Sequence, residues 1–130
     1  MLLEKITLNN WRCFYGEQQI EFASATNRNV TLIHAENGVG KTSLLNALLW
    51  CFYQKHTPRF EKPDDILNQQ AAREGEILAF VAVEFSHEDN RYEARRSFRK
   101  GAGAPHLVVT KIAEDGTQEQ VRNDPKLFIN

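Results

Sequence analysis

Between positions 35 and 42 the chain reads AENGVGKT, with two glycines, a lysine and a hydroxyl residue in close order. Each type has a task if the target is a string of phosphates. Gly38 and Gly40 lack a Cβ, so the backbone there can approach an anion and adopt conformations closed to other residues. Successive backbone N–H groups at the head of a helix then point at the phosphate oxygens. Lys41 supplies a mobile positive charge for the β- and γ-phosphates, and the Thr42 hydroxyl suits Mg²⁺, a hard ion that takes oxygen ligands. Asn37 can donate to the γ-phosphate. The pattern is GxxxxGK followed by Ser or Thr, with Ala35 in the first position and Glu36 and Val39 in variable ones. The candidate ATP site is thus Ala35, Glu36, Asn37, Gly38, Val39, Gly40, Lys41 and Thr42, with Thr42 the candidate metal ligand.

Such a loop works only between a strand and a helix, and the flanking sequence supplies both. The β-branched run 30–34 predicts a buried strand leading into the loop, and the apolar residues from Leu44 to Phe52 predict a helix over about 41–53 buried on several faces. Upstream, the alternation over 2–8 and the stretch 18–22, separated by a turn at Gly16, predict a hairpin. Downstream, residues 54–74 carry Pro58, Pro63 and many charges, which leaves room for a short helix at 63–70. Alternation returns at 76–85, 91–99, 106–113 and 117–121, a β-meander with turns between. In the second of these strands Tyr92, Ala94, Arg96 and Phe98 share one face and Arg91, Glu93, Arg95, Ser97 and Arg99 the other. Asp124 and Pro125 are suited to start a helix. The expected organisation is a P-loop region at 1–54, a connector at 55–75, the meander at 76–121 and the start of a C-terminal helix at 125–130.

Composition narrows the class without naming an activity. The chain has 130 residues, 42% hydrophobic and 25% charged, as expected of one globular domain. A formal net charge of −1 gives no global pull toward nucleic acid or an anionic membrane. Cys13 and Cys51 match neither a metal spacing nor a disulfide framework, so both are read as reduced thiols. The longest mostly apolar stretch, 44–53, is too short to span a bilayer, and no secretory signal is visible. A cytoplasmic location without a membrane partner is expected.

The N-terminal strand, the NWRCFYG element and ENGVGKTSLLNALLWCFY together resemble the SMC and Rad50-like branch of ABC ATPases over nearly the whole chain. Within that branch the chain most resembles ATPases of DNA sulfur modification (phosphorothioation) and related anti-phage defence, partly through TLIHAENGVGKTSLLNALLWCFY and the final DPKLFIN. The resemblance implies an α/β fold, the N-terminal lobe of a P-loop NTPase head of the ABC/SMC type, with a mixed sheet around the P-loop helix and an antiparallel β-subdomain. It implies an arginine loop at Asn10, Trp11, Arg12 and Phe14, with Arg12 near the nucleotide phosphates. By the same likeness Ser43 touches the α-phosphate, and residues near 65–67 lie by the adenine.

A complete head of that family also needs a glutamine loop, a signature motif, a Walker B pair and a switch histidine, and none is recognisable here. No catalytic residue is therefore assigned. The expected protein is an ATPase whose hydrolysis needs a C-terminal lobe and a second head, as a homodimer, with DNA as the partner of the whole. The basic run Arg91, Arg95, Arg96, Arg99 and Lys100 is a candidate DNA contact, or a solvated strand face. Other readings are a transporter-type ATPase, a P-loop kinase, or a nucleotide-binding interaction module without hydrolysis; a GTPase would need the NKxD motif, which is absent.

Overall fold

The computed structural model describes residues 2–22, 41–55 and 66–121, with the side chain of Lys41 also outside the description. The strand expected at 30–34, the loop 35–40, the first part of the expected helix at 63–70 and the helix start at 125–130 therefore lie outside the described residues.

Among the described residues, six strands form one antiparallel sheet in the order β2-β1-β3-β4-β5-β6. They are β1 (Leu2–Trp11), β2 (Phe14–Glu21), β3 (Leu78–His87), β4 (Asn90–Arg99), β5 (His106–Ile112) and β6 (Gln118–Gln120). The expected hairpin is β1 with β2, and the expected meander runs from β3 to β6. They are not separate sheets: β1 pairs with β3 along nearly its whole length and fuses them. The pairing among described strands is antiparallel throughout.

Alternation decides which face is buried. Register places Ile6 opposite Val83, Val83 opposite Ala94, and Ala94 opposite Val109, so one apolar row crosses four strands. All four residues are fully buried. A slip of one residue in any strand would turn its apolar set to solvent, so this row fixes the register. Helix α1 (Lys41–Tyr53) lies on the same face and adds Leu44, Ala47, Trp50, Cys51 and Phe52 to the core. Phe52 meets Phe85 edge-on at 5.8 Å, and Phe85 stacks on Tyr92 at 5.5 Å.

Helix α1 is buried on several faces, as expected, through Leu44, Asn46, Ala47, Trp50, Cys51 and Phe52, while Leu45 is 50% exposed. One expectation is corrected. The short helix of the connector, α2, spans Gln69–Arg73 and does not begin at 63 within the described residues. Asn68 sets its start by accepting from the Ala71 N–H through its side chain, while Ile66 to Asn68 run extended against the end of β1. A side-chain cap and a strand-like bridge keep residues 66–68 out of the helix.

Candidate functional site

Helix α1 (Lys41–Tyr53) follows the loop 35–40 in sequence, and that loop lies outside the described residues. Thr42 is exposed on the first turn and Ser43 is half-buried beside it. The Asn46 side-chain amide donates to the Thr42 carbonyl at 2.8 Å, within the helix. No acidic residue occupies that first turn. Among the described residues of that turn no carboxylate neutralises the positive end of the helix dipole, an arrangement that favours an anion.

The arginine element lies at the tip of the β1–β2 hairpin and is tightly braced. Asn10 and Arg12 both have positive φ, +49° and +53°, a conformation that costs a non-glycine residue about 1–3 kcal/mol and persists only where neighbours impose it. The neighbours are identifiable. The Arg12 N–H donates to the Ile66 carbonyl at 2.7 Å, and the Asn68 N–H donates to the Asn10 carbonyl at 2.7 Å. The Asn68 side-chain amide donates to the Arg12 carbonyl at 2.7 Å, and the Gly16 N–H donates to the Asn10 side chain at 2.7 Å. Arg12 is only 6% exposed. Its guanidinium carbon lies 5.3 Å from the Trp11 ring, and Trp11 packs on Trp50 of α1 at 5.9 Å. Arg12 lines a cavity of about 380 Å³ together with Cys13, Asn68, Gln69, Gln70 and Arg73. The lining residues include two arginines and three amide side chains, types that suit an anionic or polar ligand.

Of the candidate residues, the structure locates Arg12 at this cavity and Thr42 and Ser43 at the head of α1. Ala35, Glu36, Asn37, Gly38, Val39 and Gly40 lie outside the described residues, as does the side chain of Lys41.

At its far end α1 is locked to the sheet by two residues that sequence reasoning did not single out for this role. Arg96, on the buried face of β4, donates from Nε to the Cys51 carbonyl at 3.0 Å and from Nη1 to the Gln54 side chain at 3.4 Å. Helix α1 has no basic residue in its own last turn, so Arg96 provides the cation that helix C-termini favour. Burial lowers the Arg96 pKa from its ordinary value, an effect partly opposed by Cys51. The Cys51 thiol faces the Val81 and Ala94 carbonyls at 3.4 and 3.3 Å, and burial pushes its pKa up to about 12. It is a neutral donor wedged between helix and sheet.

The basic run on β4 is divided by the pleat. Arg96 is a core residue, 7% exposed, and is removed from any surface contact. Arg91 pairs with Glu4 at 3.1 Å and with Glu84 at 3.6 Å. Arg95 pairs with Glu93 at 3.0 Å and lies over Phe80 at 4.4 Å. Arg99 and Lys100 remain exposed at the end of the strand. The run is therefore not one cationic patch.

A family model for an AAA domain matches residues 5–128, spanning the hairpin, the P-loop and the meander. The chain belongs to the AAA domain family. Among solved structures, this AAA domain is similar to one from work on the structural biochemistry of ATP-driven dimerization and DNA-stimulated activation of SMC ATPases. The TM-score is 0.55 at 19% identity, over 95% of this chain and 70% of the other. That likeness is one of fold, and it agrees with the expected N-terminal lobe of a P-loop NTPase head. No curated protein matches the AAA domain by sequence. Among the described residues, no helix is long and apolar enough to cross a membrane and no cluster could hold a metal through His, Cys, Asp or Glu.

Proposed function

We propose that this AAA domain is the ATP-binding N-terminal part of an SMC/Rad50-like ATPase that acts on DNA. The observation that carries the reading is the first turn of helix α1: AENGVGKT ends there in sequence, Thr42 is exposed there, and no carboxylate occupies that turn. In this reading Ala35, Glu36, Asn37, Gly38, Val39 and Gly40 wrap the phosphates with backbone N–H groups. Lys41 holds the β- and γ-phosphate oxygens, Ser43 reaches the α-phosphate, and Arg12 adds a guanidinium from the hairpin tip. Thr42 holds Mg²⁺, which when bound neutralises charge developing on the phosphate oxygens.

Hydrolysis in this proposal belongs to a larger protein. A base and a water-positioning group come from a C-terminal lobe and a second head, so ATP closes two heads and hydrolysis reopens them. The similar solved structure comes from work on ATP-driven dimerization and DNA-stimulated activation, which supports the two-head and DNA parts of the reading. The narrower pathway, DNA sulfur modification or a related anti-phage defence, rests on the resemblance of the P-loop segment and of DPKLFIN.

Sedimentation of the whole protein with and without ATP tests the two-head part: ATP is expected to shift the monomer toward a dimer. An unchanged mass at saturating ATP overturns head closure while leaving nucleotide binding to be judged by titration.

A further inference from the structure

The connector residue Asn68 joins three elements at once. Its backbone N–H donates to the Asn10 carbonyl at 2.7 Å, its side-chain amide donates to the Arg12 carbonyl at 2.7 Å, and its side-chain oxygen accepts from Ala71 at 3.1 Å. The residue is 8% exposed and lines the same cavity as Arg12. The first two bonds bracket Arg12 from either side, and both flanked residues, Asn10 and Arg12, hold positive φ. The third fixes the start of α2, whose Gln69, Gln70 and Arg73 line the same cavity. One side chain therefore braces both the backbone of Arg12 and the helix that supplies other residues of the cavity wall.

We propose that Asn68 is a positioning residue for Arg12: its side-chain amide holds the arginine loop in the conformation that presents the guanidinium to bound nucleotide. This rests on the ATP-site reading given above. Asparagine combines the two actions here: an aspartate at 68 can still accept from Ala71 but has no hydrogen to give to the Arg12 carbonyl, and a serine hydroxyl, one bond shorter than the amide nitrogen, can cap Ala71 but does not also span to that carbonyl. Capping and positioning can thus be separated by substitution.

The test is a double-mutant cycle in the whole protein, read as ATP affinity by calorimetry. Asn68→Ser is expected to weaken ATP binding about three- to tenfold, the range for one lost hydrogen bond, and to do so by less than about twofold when Arg12→Ala is already present. The melting temperature separates positioning from a general structural role. Positioning predicts an affinity loss with the cap and the melting temperature retained, whereas equal affinity losses with and without Arg12 overturn the proposal. Unchanged affinity for Asn68→Ser also overturns it, provided Lys41→Ala does weaken ATP. If Lys41→Ala leaves affinity unchanged, the ATP-site reading fails first, and the positioning proposal falls with it.

Discussion

Replacing Arg96 by methionine isolates the lock at the end of α1, because methionine keeps most of the buried stem and removes only the guanidinium. Two contacts disappear, the 3.0 Å bond to the Cys51 carbonyl and the 3.4 Å bond to Gln54. The first is a hydrogen bond from a charged donor to a helix-end carbonyl, and such bonds contribute about 1.5–3 kcal/mol, with about 0.3–1 kcal/mol more from the helix dipole. The second is longer and its partner, Gln54, is exposed, so water replaces it at little cost. Against these losses stands the relief of burying one fewer charge, since Arg96 is only 7% exposed. The net expectation is a destabilisation of about 2 kcal/mol. Urea unfolding followed by tryptophan fluorescence measures it directly, because Trp50 lies on α1 and Trp11 packs against it. The midpoint should fall while the slope with urea stays constant. Arg99→Met is the control: the same chemical change at an exposed position should alter stability by less than about 0.5 kcal/mol. Equal stability of Arg96→Met and wild type, or an equal loss in Arg99→Met, would refute the idea that Arg96 anchors the helix.

The two thiols should differ sharply in reactivity: an aromatic disulfide reagent is expected to label Cys13 in the folded protein and both cysteines only after denaturation. Burial also makes Cys51 a source of alkaline sensitivity. Its folded pKa of about 12 exceeds the ordinary 9.0, so the folded state holds a proton that the unfolded state releases. Its contribution to stability is therefore complete below pH 9 and is lost as pH rises toward about 12. Unfolding free energies at about pH 8 and about pH 10.5 should fall less in Cys51→Ala than in wild type, the difference approaching about 1.4 kcal/mol per pH unit. Thr42→Ala should raise the Mg²⁺ concentration needed for ATP binding by about tenfold while leaving thermal stability intact, as the hydroxyl is exposed. A Mg²⁺ titration at fixed ATP checks this, and unchanged Mg²⁺ dependence would remove Thr42 from the metal site.

The strands were legible because a sheet buried on one face writes period-two alternation into its sequence, as in β4, where Tyr92, Ala94 and Arg96 do face inward. The end of α1 was legible too, since polar residues follow Tyr53. The task of Arg96 was harder to read. Its inward register was visible, but its partner is a carbonyl at the end of a helix 45 positions away in sequence, and no local pattern carries that pairing. A signal did exist in combination: an inward-facing cation and a helix lacking any basic residue in its last turn. The connector was misread for a similar reason. Proline marks helix starts strongly, whereas Asn68 caps α2 only because Ile66 to Asn68 first dock on β1. The braced turn at Asn10 and Arg12 carried no local signal, since positive φ there is imposed by contacts distant in sequence.

The central claim is that the loop 35–42 binds ATP, and calorimetric titration of ATP into the whole protein carrying Lys41→Ala tests it most directly. Loss of a charged donor to the phosphates contributes about 1.5–3 kcal/mol, which corresponds to affinity weakened by about tenfold to a hundredfold or more. That weakening, with the fold retained, is the predicted result; an ATP affinity equal to that of the unaltered protein would contradict the account.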